Sequence, residues 1–205
     1  HSIMISLSKA ELEVVFVDVR KAYRLLYFYQ RRIMDTADFI ANLLSTHIES
    51  GFSLFSSNAP KNGSNLNIDR WAWDWLNMYC YEFNLGKVTI GNNIYEMAIA
   101  FQADSGFDDS EEGVSGTDVE RFPVVEECVT KIYIYLGKNR WKSEEFEFTW
   151  YKGADDEYEE KDDNTFFIGK RFDLSDFASE ESIRNKVAEF KDFVISKGVT
   201  DLWQS

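Results

Sequence analysis

Histidine, cysteine and proline are almost missing from this 205-residue chain, with two of each. So little histidine sets aside imidazole-based triads and Cys-His pairs. His1-Ser2-Ile3-Met4 reads as a tag remnant ahead of the native start, which leaves His47 as the native histidine. It stands near the end of an expected helix, where it would interact with the last carbonyls. Cys80 and Cys128 lie far apart with no CxxC, so they form neither a disulfide framework nor a zinc site. They suggest a reducing compartment, and Cys80 reads as a small buried strand residue. No run approaches the roughly 18 apolar residues of a membrane span, and no charged-then-apolar leader is visible. The expectation is a cytoplasmic protein that does not contact a membrane. Two prolines and eleven glycines point to long regular elements.

Aromatic residues are plentiful: six Trp, ten Tyr and seventeen Phe. With 44% hydrophobic residues, the chain can bury enough apolar area for one domain spanning 4–205. The net charge of −14 is confined to two short stretches. Residues 104–127 hold nine acids, among them Asp108, Asp109, Glu111 and Glu112, against Arg121. Residues 155–163 hold seven, Asp155, Asp156, Glu157, Glu159, Glu160, Asp162 and Asp163, against Lys161. The rest of the chain is neutral.

Ser8-x-x-Glu11 is a capping box, and Leu12, Val19, Leu26, Ile33 and Ile40 recur every seven residues behind it. Phe16, Tyr23, Gln30, Ala37 and Leu44 fill the interleaved register, and no Gly or Pro intervenes before Gly51. The pattern predicts one helix of about 40 residues within 4–50, about 60 Å long at 1.5 Å per residue. Its apolar stripe would meet either the chain's own sheet or, as a homodimer, a second copy of the chain. Residues 51–70 are rich in Ser and Asn and read as a connector. Between 71 and 172 the period falls to two, which predicts an antiparallel sheet of about five strands. These are 79–85, 95–101, 131–136, 145–151 and 165–172, with turn signals at Gly86-Lys87, Gly91-Asn92-Asn93 and Gly137-Lys138-Asn139. Both acidic stretches read as loops between strands. A C-terminal helix is expected over 176–197, capped by Ser179 or Asp176, with Ile183, Val187, Phe190 and Val194 on one face. The sum is an α+β fold with the C-terminal helix packed on one face of the sheet.

No catalytic or metal-binding motif survives inspection, and no cofactor is implied. Asp108, Ser110, Glu112 and Gly113 fit the start of a calcium loop, but the position for its bidentate Glu is Val119. Glu159-Glu160-Lys161 has the acid-x-Lys spacing of a Mg²⁺-dependent nuclease, yet sits among acids that would repel a phosphodiester. Glu145 and Glu147 share a strand face and keep open a carboxylate- and Mg-dependent enzyme acting on a phosphate or sugar. Trp71 and Trp73, with Trp75, would form a core or interface anchor, or a stacking platform. Arg20, Lys21, Arg24, Arg31 and Arg32 make a basic band with no acid among them, which would meet the acidic stretches in cis or across a dimer. The chain's overall negative charge argues against direct nucleic-acid binding. The leading expectation is a non-catalytic interaction protein whose acidic residues engage a basic protein surface, as an inhibitor, immunity-type protein or DNA mimic does. A structural oligomer built through the long helix is a further alternative.

Overall fold

The structure is a computed structural model that describes residues 8–54, 80–107, 122–139 and 155–203. The expected strand 145–151, Trp71, Trp73, Asp108, Asp109, Glu111 and Glu112 lie outside the described residues. Contacts divide the chain into two units, residues 1–36 and 37–205.

Helix α1 runs Lys9–Leu43. Its start is the capping box read from sequence: the Ser8 amide donates to Glu11 Oε2 (2.7 Å) and the Glu11 amide to Ser8 Oγ (3.3 Å). Those hydrogen bonds hold the Glu11 carboxyl below its ordinary value. In the first unit, residues 8–32 are exposed apart from half-buried Leu26 and Tyr29. In the second unit, Ala37, Ile40, Ala41 and Leu44 are buried. The helix ends without glycine: Ser45 takes φ 60°, the Thr46 amide donates to the Ala41 carbonyl, and Trp203 Nε1 donates to the Leu44 carbonyl.

The second unit is built on an antiparallel sheet of six described strands, β1 (Ser50–Leu54), β2 (Cys80–Ile90), β3 (Asn93–Gln102), β4 (Lys131–Lys138), β5 (Glu157–Lys161) and β6 (Phe166–Asp173). Their order across the sheet is β1-β2-β3-β4-β6-β5. Gly91 and Asn92 form the β2–β3 turn, with Gly91 at φ 59°. Gly86 does not end a strand as its turn signal suggested. It lies inside β2, where the register shifts between Asn84 and Lys87, and takes φ 78° as a bulge residue. Asn139 ties the far end together: its amide donates to the Ile94 carbonyl, and its side chain reaches Asn93 and the Asn164 carbonyl.

Helix α2 spans Glu180–Ser196 and starts at Ser179, whose Oγ accepts from the Ser182 amide. A 3-10 turn over Leu174–Phe177 takes the place of the first residues of the expected helix. Phe83, Ile99, Ile134, Ile168 and Phe172 project from one face of the sheet, as the register and alternation require. Lys170 leaves β6 on that face and reaches Glu189 and the Phe193 ring of α2, so α2 covers it. Phe190 and Val194 are wholly buried there, each stabilising the fold by about 1.5–3 kcal/mol through lost apolar exposure. The opposite face is buried as well. Cys80, Ala98, Ala100, Tyr133, Tyr135 and Phe167 form one cluster, with Tyr135 stacked on Phe167 at 5.6 Å.

Two stretches read as irregular are strands. The start of the connector is β1, paired with β2 from Ser50↔Asn84 to Leu54↔Cys80. The second acidic stretch is not a loop, because residues 157–161 pair with β6 as β5. Cross-strand charge explains why so acidic a sequence adopts a strand: Glu157 lies opposite Lys170, at 2.9 Å.

A candidate acidic docking groove

Alternation along β5 splits its side chains between the two faces of the sheet. Glu157 and Glu159 point to the α2 side, where they meet Lys170 and Lys197 at 2.9 and 2.7 Å. Tyr158 and Glu160 point to the other, and the Tyr158 hydroxyl donates to Glu160 Oε2 at 3.1 Å. Asp156, just before the strand, takes Arg171 Nε at 2.9 Å. The bases that answer this acidic stretch therefore come from β6 and the end of α2.

Where the start of β5, the end of β6 and α2 converge they leave an open groove of about 590 Å³. Six carboxylates line it, Asp155, Asp156, Glu157, Asp173, Asp176 and Glu189, against Lys131, Lys170, Arg171 and Lys186. Every one of these bases has an acidic partner. Lys131 pairs with Asp173, Lys170 with both Glu157 and Glu189, and Lys186 with Asp176 (3.2 Å) and Glu189 (3.3 Å). Burial opposes the charge on Lys170, but its hydrogen bonds to Glu157 and Glu189 outweigh this and raise its pKa. Lys186 is raised by the same balance, through Asp176 and Glu189. Both stay cationic at neutral pH.

The two signs differ in depth. The Arg171 and Lys170 side chains are 11% and 14% exposed, while their partners Asp156 and Glu157 are 67% and 51% exposed. Phe172 lies beneath, with the Lys170 and Lys186 ammonium groups 5.8 and 5.4 Å from its ring centre. The groove thus presents a layer of carboxylates held in place by half-buried bases. Exposed ion pairs of this kind add little stability singly, but a network fixes side-chain positions.

The structure also places the other sequence candidates. Arg20, Lys21, Arg24, Arg31 and Arg32 are exposed on α1, where Lys21 pairs with Asp18 of its own helix at 2.9 Å. His47 lies beyond the end of α1, with its Nε2 3.9 Å from Glu49 Oε1, so it does not cap the helix carbonyls. Cys80 is buried as read. Among the described residues no group of three His, Cys, Asp or Glu is placed to hold a metal ion, and no helix is long and apolar enough to cross a membrane. Glu145 and Glu147 lie outside the described residues.

Sequence reasoning did not single out Glu82. It sits on β2 opposite Ala100, is 1% exposed, and its Oε1 has no hydrogen-bond partner. Burial pushes its pKa up to about 7. The available signal was Ala98, Ala100, Tyr133 and Tyr135, apolar residues on the face that strict alternation assigns to solvent.

A family model described as PM0109 matches residues 9–198. No curated protein and no solved structure matches the chain.

Proposed function

The chain belongs to the PM0109 family, and we propose that it is a non-catalytic interaction protein that engages a basic protein surface through its acidic groove. One observation carries the reading: the bases of the groove lie beneath and the carboxylates outside, so an approaching molecule meets negative charge in fixed positions. A layer of this kind steers a cationic partner into encounter and repels phosphate, which disfavours nucleic acid as the ligand. It costs little ordering on binding, because Lys170, Arg171 and Lys186 already hold the carboxylates. Inhibitors, immunity-type proteins and DNA mimics all work on this principle, in the reducing cytoplasm that the cysteines suggest.

Two variants test it. Asp155→Asn removes an exposed charge of the groove without breaking one of its ion pairs. Neutralising Asp155, Asp156, Glu157 and Glu159 together also uncovers Lys170, Arg171 and Lys197. Used as bait in a lysate, the native chain should retain basic proteins that elute with salt. The Asp155 variant should retain less of them at unchanged circular dichroism, and the quadruple variant almost none. Equal capture by all three chains, with equal salt sensitivity, refutes the proposal.

A further inference from the structure

Helix α1 carries more exposed apolar surface than the acidic groove needs or uses. On one side of the helix it leaves Leu12, Val15, Phe16, Val19, Tyr23 and Tyr27 at 37–64% exposure. Contiguous apolar surface on this scale marks a binding site. What fills it is decided by how charge runs along the helix. The first ten residues hold Glu11, Glu13 and Asp18 against Lys9, and residues 20–32 hold Arg20, Lys21, Arg24, Arg31 and Arg32 with no acid. The helix is therefore acidic at its start and basic beyond, and its own complement is the same helix reversed.

We propose that α1 pairs antiparallel with α1 of a second copy of this chain. The seam is Leu12, Phe16, Val19, Tyr23, Leu26 and Gln30, spaced alternately four and three residues as two packed helices require. An antiparallel pair centred on Lys21 sets Val19 opposite Tyr23, Phe16 opposite Leu26 and Leu12 opposite Gln30. In the same register residues 9–18 of one copy, with Glu11, Glu13 and Asp18, run level with residues 24–33 of the second, with Arg24, Arg31 and Arg32. The overlap from Lys9 to Ile33 is about 36 Å at 1.5 Å per residue. The reversed register brings only Arg20 and Lys21 level with their own copies, whereas a parallel pair would set all five bases of one copy beside the same five of the other, at a larger repulsive cost. Phe16 and Tyr23 are bulky for such a seam, and the reversed arrangement accommodates them by placing each against a residue of different size. The seam shares no residue with the acidic groove, so either assignment can fail alone.

The test uses the full chain. Sedimentation equilibrium should show a dimer at micromolar concentration. Phe16→Glu with Tyr23→Glu should give a monomer with the helical circular dichroism of the native chain and a melting temperature that, unlike the native one, does not change with protein concentration. Two single cysteines then fix direction, read against the unaltered chain with its own Cys80 and Cys128. Ala22→Cys lies beside the two-fold centre and should cross-link to itself under mild oxidation, whereas Phe16→Cys should not. A chain that stays monomeric at 100-fold higher concentration, including one that binds anionic vesicles or a different protein through α1, overturns the proposal. So does a dimer that survives the paired Glu substitutions, or self-cross-linking at Phe16→Cys in place of Ala22→Cys.

Discussion

The buried carboxyl of Glu82 makes stability depend on pH in a direction opposite to that of most acids. Its pKa in the folded chain is about 7, against 4.5 when exposed, because burial penalises the charged form. The folded state therefore holds this proton more tightly than the unfolded state. Its contribution is fully present below pH 4.5 and is lost as pH rises to about 7, where the folded carboxyl finally ionises. The shift of about 2.5 pH units corresponds to about 3–4 kcal/mol at about 1.4 kcal/mol per unit. Glu82→Gln keeps the shape and removes the titration. Urea unfolding followed by tryptophan fluorescence, run on both chains at pH 4.5 and pH 8, isolates the effect, since every other titrating group is shared. The native chain should lose about 3 kcal/mol relative to the variant between the two pH values. Any constant cost of burying an amide drops out of that difference. A difference that changes by less than about 0.5 kcal/mol, against the full linkage of a desolvated carboxyl, refutes the reasoning.

Other perturbations test separate parts of the structure. Ser179→Ala removes the acceptor for the Ser182 amide at the start of α2 and should cost about 1 kcal/mol in urea unfolding. Gly86→Ala forces a left-handed residue with φ 78° and sets a new Cβ 2.5 Å from Glu49 Oε1. The flexible glutamate can move aside, so the backbone term of about 1–2 kcal/mol should dominate the measured loss. Lys186→Gln strips one base from beneath Asp176 and Glu189. It should speed association with a basic partner and steepen its dependence on salt, as stopped-flow mixing would show.

Where local chemistry decides the structure, the residues announce it. The Ser8–Glu11 box, the Gly91-Asn92 turn and the Ser179 cap all act within four residues, and each was readable as such. The strand β5 was not readable. Acids are poor strand formers, and the residues that make this run a strand, Lys170, Arg171 and Lys197, lie 13 or more positions away. For the same reason the groove was half visible. Its carboxylates stood out as an acidic run, whereas the bases beneath them are scattered over β4, β6 and α2. Glu82 was hidden by the rule that alternation means one wet face, which fails when both faces of a sheet are covered. The exposed stripe of α1 was visible as a pattern, but a stripe alone does not say whether it meets a sheet or another helix.

The claim that the groove is a docking surface is tested most directly by amide hydrogen exchange of the chain alone and saturated with a basic protein that it captures. Docking in the groove adds protection at residues 155–161 and 173–176, lost in step with binding as salt is raised. Protection confined to other segments, with these residues exchanging as in the free chain, would contradict it.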